Sequence, residues 1–237
     1  MSFFKFKEFQ IKQEQSAMKI GTDGVLLGSW VNLNEAYTIL DVGTGTGLIA
    51  LMMAQRSNAE LIDALEIEDG AYEEAVYNFE NSPWADRLFC YHADFQEFIN
   101  EMDEPYDLII SNPPFYTSSN PSQDRARFLA REEASLPFHQ LFSGSAQLLN
   151  DQGVLALILP AEADERIQVL AKENGLHLKR KCLVRGNEAA EVKRIMYEYI
   201  KTSTPLETAN ESLIIEIDRH QYTDDYKNLV KDFYLDL

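Results

Sequence analysis

Cysteine is nearly missing. Cys90 and Cys182 are the two in 237 residues, too few for a disulfide framework, and neither has a second cysteine or a histidine at metal-ligand spacing. Histidine is equally sparse: His92, His139, His177 and His220 are scattered without an HExxH-like pair, so no metal centre is expected. No apolar run approaches the roughly 20 residues that span a bilayer, and the opening Met1 to Lys7 has no signal-peptide core. A soluble, cytoplasmic protein with no membrane partner is expected. There are no internal repeats and no Gly/Ser-rich linkers. Positive charge is short too: 21 Lys and Arg against 39 Asp and Glu leave a net charge of −18, which on average repels nucleic acid and anionic surfaces.

What is present is ordinary globular composition, 45% apolar and 25% charged, in a chain long enough to bury roughly 70% of its unfolded surface. Strand-like and helix-like runs alternate: Thr38 to Val42 then Leu48 to Arg56, Leu61 to Ile67 then Ala71 to Asn81, Leu88 to His92 then Phe95 to Met102, and Leu108 to Ser111. The pattern resumes with a helix near Pro137 to Leu149, a strand at Val154 to Leu159, a helix at Ala161 to Asn174 and strands near Leu178 to Val184 and Ile195 to Ile200. Such alternation predicts an α/β fold of Rossmann-like, doubly wound kind with helices on both faces. Ligands of these sheets bind where the strands end.

The first strand ends in Asp41-Val-Gly43-Thr-Gly45-Thr-Gly47. Glycines there permit positive φ in a tight turn and let a ligand approach the main chain. The spacing is GxGxG, not the GxGxxG of a dinucleotide site, and Asp41 suits a cation better than a pyrophosphate. Glu66, at the second strand end, is placed to accept ribose hydroxyls. Ala93 and Asp94, at the third, offer an N–H and a carboxylate to an adenine edge. Three such features at successive strand ends are what S-adenosylmethionine would require. Singly they read as a turn, a solvated helix start and an N-cap.

The fourth strand runs into Asn112-Pro113-Pro114-Phe115. A conjugated amino nitrogen is a poor nucleophile because its lone pair is delocalised. If the Asn112 side-chain oxygen and the Pro113 carbonyl accept its two hydrogens, it rehybridises toward a methyl donor, and catalysis is mainly positioning and electrostatics. Phe115 supplies a flat face for a planar target turned out of its stack.

Asp41 to Gly47 together with Asn112 to Phe115 resembles the class I S-adenosylmethionine-dependent methyltransferases that act on amino nitrogens, over roughly residues 35 to 200. The stretches Lys19-Ile-Gly-Thr-Asp-Gly-Val-Leu-Leu-Gly-Ser-Trp30, Asn81-Ser-Pro-Trp-Ala85 and Asp232-Phe-Tyr-Leu235 are similar to those of bacterial tRNA(Val) adenine-37 N6-methyltransferases, over nearly the whole chain. The resemblance implies a seven-stranded, mostly parallel sheet in the order 3-2-1-4-5-7-6 with an antiparallel C-terminal hairpin. It also implies one methyltransferase domain over 1–237: an extension at 1–34 above the cofactor, a core at 35–200, and a strand and helix at 201–237. Lys19, Thr22 and Asp23 are then expected in the cofactor pocket, and tRNA as the partner. The family pattern more commonly ends in Tyr where Phe115 stands.

The charge of −18 fits RNA poorly, since phosphate contacts supply much of the affinity. The expectation is that Lys5 and Lys7, then Arg125, Arg127 and Arg131, and then Arg185, Lys193 and Arg194 rim one mouth. Alternative readings are N-methylation of ribosomal RNA, DNA or a protein glutamine, or a non-catalytic fold that binds S-adenosylmethionine.

Overall fold

The computed structural model describes residues 3–16, 19–33, 36–114, 136–204 and 206–236. Its central strands are β3 (Thr38–Val42), β4 (Leu61–Glu66), β5 (Leu88–His92), β6 (Tyr106–Ser111) and β7 (Leu149–Pro160). Each of these pairs in parallel with its neighbours in the order β5-β4-β3-β6-β7. Beyond β7, β9 (Val192–Lys201) runs antiparallel to both β7 and β8 (Leu176–Arg185). Counted along the core, this is the 3-2-1-4-5-7-6 order with its antiparallel hairpin.

The seven-strand expectation needs one correction. An eighth strand, β10 (Ala209–Ile214), adds in parallel to the outer edge of β8. Its sequence, Ala-Asn-Glu-Ser-Leu-Ile, is mostly polar, because an edge strand facing solvent needs no continuous apolar run. A hairpin of β1 (Phe3–Lys5) and β2 (Gln10–Lys12) packs outside the sheet, as does a small one of β11 (Glu216–Asp218) and β12 (Gln221–Tyr222).

Alternate side chains of a strand face opposite sides, and this divides the core in two. Ile39, Ile62, Ala64, Leu108, Ile110, Ala156 and Ile158 point to one face. That face is covered by α1 (Thr22–Trp30), α2 (Leu48–Arg56), α3 (Asp69–Glu80) and α7 (Asp224–Val230). Leu40, Val42, Leu65, Ile109, Leu155, Leu157 and Leu159 point to the other, under α4 (Phe95–Glu101), α5 (Phe138–Leu148) and α6 (Asp164–Glu173). With both faces buried, the strands read as unbroken apolar runs. Each fully buried Leu or Ile contributes about 1.5–3 kcal/mol.

Helix α1 is buried from Gly24 to Trp30. It lies against α2 through Gly28, where a Cβ would come within 2.6 Å of Met52 Sδ. Its C-terminal end is held by Arg180, whose guanidinium stacks 4.1 Å over Trp30 and bonds Glu211 and the Trp30 carbonyl. Arg194 Nε donates to Asp23 at 2.8 Å at the other end. No helix among the described residues is long and apolar enough to cross a membrane.

Candidate active site

Strand order reverses at β3, which has β4 on one side and β6 on the other. β3 pairs with β6 only as far as Asp41 opposite Ile110. It stays with β4 one residue longer, Val42 opposite Leu65, and the Gly43 and Thr44 amides then both donate to the Leu65 carbonyl. β6 stays with β7, Ser111 opposite Leu157. The sheet therefore forks, and a cavity of about 310 Å³ opens in the fork. Its wall includes Lys19, Gly43, Gly45, Glu66, Ala93, Asp94, Asn112 and Pro114.

Gly43 and Gly45 take φ of +71° and +59°, and a Cβ on either would meet nothing within 4 Å. The loop is a cradle that side chains would fill. Glu66 holds it in place: Oε2 accepts the Gly45 amide at 2.8 Å, and Oε1 accepts the Ile67 and Glu68 amides at 2.9 Å. A carboxylate has about four acceptor directions, so one remains for a diol. Below the loop Asp41 is fully buried. Its Oδ2 accepts Thr44 Oγ1 at 2.6 Å and the Ala50 amide at 3.1 Å, while Oδ1 has no hydrogen-bond partner. Burial pushes this carboxyl up to about 7, against the pull of the Thr44 and Ala50 bonds. An uncompensated anion under an open glycine cradle fits a ligand that carries positive charge and hydroxyl donors, as S-adenosylmethionine does. Leu65, Ile67, Ala93 and Phe95 give one end of the cavity an apolar lining suited to a purine.

Asn112 and Pro114 form the opposite wall, and Pro113 is buried behind them. Helix α1 passes close by: a Cβ on Gly24 would sit 3.7 Å from Asn112 Nδ2 and 3.1 Å from Leu48 Cδ2.

Several sequence expectations change here. Thr22 and Asp23 do not line the cavity; Asp23 is committed to Arg194, and the neighbouring Ile20, Gly21 and Gly24 line it instead. Lys19 does line it, but its ammonium donates to the carbonyls of Gln13, Ser16 and Glu14 at 2.6, 3.1 and 3.3 Å. All three of its N–H groups thus hold its own segment. Asp41 acts from beneath the loop, and Gly47 (φ +84°) faces Phe79, 2.5 Å from where its Cβ would be. The Ala93 amide donates to the Glu66 carbonyl, so it is not free for a base edge. Asp94 does cap α4, accepting the Gln96 amide at 2.8 Å. Phe115, Arg125, Arg127 and Arg131 lie outside the described residues.

The one-mouth arrangement of basic groups also needs revision. Arg185, Lys193 and Arg194 stand at the end of β8 and the start of β9, the same sheet edge as the cavity. Lys5 and Lys7 stand at the other edge. The β1–β2 turn touches Trp84 through Phe9, beyond the far end of α3, and Lys7 bonds the carbonyls of the C-terminal segment. Arg194 is tied to Asp23, which leaves Arg185 and Lys193 as the groups from that set at the cavity edge without an ion pair among the described residues.

Sequence reading also missed what fixes the N-terminal segment. Glu74, fully buried in α3, accepts the amides of Glu14, Gln15 and Ser16. One turn on, Asn78 bonds Lys12 and the Thr46 carbonyl. The i, i+4 pairing of polar residues on an otherwise apolar helix face was the available signal.

A parallel sheet reversing at β3, an antiparallel final hairpin and a glycine cradle at the fork define a Rossmann-like, S-adenosylmethionine-dependent methyltransferase. The chain belongs to the methyltransferase small domain family, whose model matches residues 16–173. It is 51% identical over 239 residues to the tRNA1(Val) (adenine(37)-N6)-methyltransferase of Christiangramia forsetii, covering 99% of this chain and 98% of that one. It is 48% identical over 233 residues to the Flavobacterium johnsoniae protein of the same name, covering 98% and 99%. Among solved structures it is similar to an Agrobacterium tumefaciens protein described as a predicted O-methyltransferase: TM-score 0.70, 19% identity, 89% of this chain and 96% of that one. It is also similar to TYW2 of P. horikoshii in complex with MeSAdo, with TM-score 0.59, 13% identity and coverage of 84% and 70%. These two likenesses concern the fold alone.

Proposed function

We propose that this chain transfers a methyl group from S-adenosylmethionine to the N6 amino group of adenine in tRNA, at position 37 of tRNA(Val). The observation that carries the reading is that Asn112 shares one cavity with the glycine cradle and Glu66. An amino group bound by Asn112 therefore faces whatever the cradle holds. The near full-length likeness to proteins named for that reaction supports the choice of adenine and of tRNA.

When bound, S-adenosylmethionine supplies an electrophilic methyl on a sulfonium. The chain's own residues do the rest. Gly43 and Gly45 give main-chain access, Glu66 takes a ribose hydroxyl, and buried Asp41 contributes negative potential. The Asn112 side-chain oxygen and a carbonyl of the Pro113 turn accept the two amino hydrogens, which localises the nitrogen lone pair. After transfer the nitrogen is acidic and loses one proton to solvent, so no strong base is required. Removing one such preorganised hydrogen bond from an active site costs about 10²–10³ in kcat. Arg185 and Lys193 supply phosphate contacts at the cavity edge.

The test is methylation of an unmodified tRNA(Val) transcript with methyl-labelled S-adenosylmethionine, followed by nucleoside mass spectrometry. Label in N6-methyladenosine that vanishes when adenine 37 is replaced by guanine is expected. Label elsewhere in the RNA, or none, refutes the reading.

A further inference from the structure

The fork between β3 and β6 is where the two reacting groups must meet, and one side chain spans it. Main-chain pairing between these strands stops at Asp41 and Ile110. One residue further, Ser111 Oγ donates to the Val42 carbonyl at 2.7 Å. Ser111 is fully buried and Val42 nearly so. Val42 is the last residue before the glycine cradle, and Ser111 the last before Asn112.

We infer that Ser111 is a positioning residue for methyl transfer: its hydroxyl fixes the separation of the glycine cradle from the Asn112 turn. The inference rests on the proposed reaction for its kinetic arm. The physical case does not depend on which RNA is used. Past the last ladder pair, the exit of β3 is held to β4 by the Gly43 and Thr44 amides, and the exit of β6 is held to β7 through Ser111 and Leu157. The Asp41–Ile110 pair is the last of the β3–β6 ladder, and the Ser111 hydroxyl takes the Val42 carbonyl one step beyond it. The sheet twists, so two strands anchored to different neighbours diverge, and a hydroxyl bridge at the point of divergence sets by how much. A misplacement of about 1 Å in a reacting pair costs on the order of 10²-fold in rate.

The experiment compares the parent chain with Ser111→Ala and Ser111→Thr in two ways. The first is amide hydrogen exchange of the unliganded chain. Loss of one buried hydrogen bond predicts exchange about two- to tenfold faster over Gly43–Gly47 and at Asn112 in Ser111→Ala, with β7, β8 and β9 unchanged. The second is steady-state kinetics on the tRNA(Val) transcript. Ser111→Ala is expected to lose about 10- to 100-fold in kcat with KM for S-adenosylmethionine and for RNA within about twofold. Ser111→Thr, which keeps the hydroxyl, is expected to recover most of that loss. Unchanged kcat in Ser111→Ala overturns the inference even if exchange accelerates. Parallel losses in kcat, in S-adenosylmethionine affinity and in thermal midpoint also overturn it, because they describe a residue that merely holds the fold. If the parent chain itself fails to methylate tRNA, the proposed reaction falls. The exchange arm then still decides whether the bridge controls the fork, and uniform exchange in parent and variant refutes it.

Discussion

Replacing Asp41 with Asn separates the charge of the site from its shape. The carboxyl oxygen Oδ2 holds the Thr44 hydroxyl and the Ala50 amide, and an Asn carbonyl can keep both. What is lost is the buried anion. In the folded chain burial raises this carboxyl from 3.8 to about 7. Between those values the folded state holds a proton that the unfolded state has released, so stability falls as pH rises through the window and levels off above 7. The full drop is ~4 kcal/mol. Asp41→Asn removes that drop but buries an NH2 where Oδ1 has no partner, at a cost of about 1–3 kcal/mol. The variant is therefore expected to be more stable than the parent by about 2 kcal/mol at pH 8 and less stable at pH 4. Urea unfolding at the two pH values measures this. A residual decline with pH remains from Asp63, which burial also raises despite its bond from Tyr106. The ligand arm has the opposite sign. A cation in the cavity favours ionised Asp41, so binding S-adenosylmethionine at pH 7 expels ~0.5 proton, and apparent affinity weakens about tenfold from pH 8 to pH 6. Calorimetry in two buffers of different ionisation enthalpy reads the proton directly. Subtracting the Asp41→Asn value cancels protons from the ligand's own amino group. Equal proton release by parent and variant, or a variant less stable at pH 8, refutes the argument that this site holds a costly buried anion for a cationic ligand.

Asn112→Ala is expected to lower kcat by about 10²–10³ while S-adenosylmethionine affinity, by calorimetry, stays within about twofold; an equal loss of both would make the turn a wall and not a catalytic element. Gly47→Ala places a side chain at φ +84° and within 2.5 Å of Phe79 Cε1, which predicts a loss of about 2–4 kcal/mol in chemical denaturation; a loss below about 1 kcal/mol would show that the loop adjusts freely. Charge reversal at the cavity edge, Lys193→Glu with Arg185→Glu, is expected to raise KM for tRNA, leave S-adenosylmethionine binding unchanged and lower the salt slope of RNA binding by about one per residue. An unchanged slope would move the RNA path off this edge.

The elements around the site were legible because their signals are local. β3 carries Thr38-Ile-Leu-Asp-Val with a glycine loop behind it, and the periodicity marks its bounds as observed. β10 was harder to place. Glu211, half-buried on the face of β10 toward α1, is committed to Arg180 and Trp30, and its bond with Trp30 spans 181 residues that no window of sequence carries. Lys19 illustrates a different blindness. The residue does line the cavity, but its ammonium is claimed by three carbonyls within six residues. Sequence can place a charge near a site without showing which acceptor it meets.

The basic run in β8 shows why charge clusters mislead in an acidic chain. Lys179, Arg180 and Lys181 are adjacent in sequence, yet strand alternation sends Arg180 toward α1 and Lys181 toward α6. There they meet Glu211 and Glu198 on one face and Asp164 on the other. Arg87 closes the end of α2 through the Ala54, Ser57 and Ala59 carbonyls, and Arg56 holds the Gly28 carbonyl at 2.6 Å. Cations that fasten carboxylates and helix ends are neutralised where they stand and add little to the outer field. In a chain with 39 acidic residues against 21 basic ones, each cation spent in this way is one fewer for phosphate. On the proposed reaction, RNA affinity then leans on the adenine held in the cavity more than on the backbone path. Binding should accordingly depend less on salt than is usual for proteins that track a phosphate backbone.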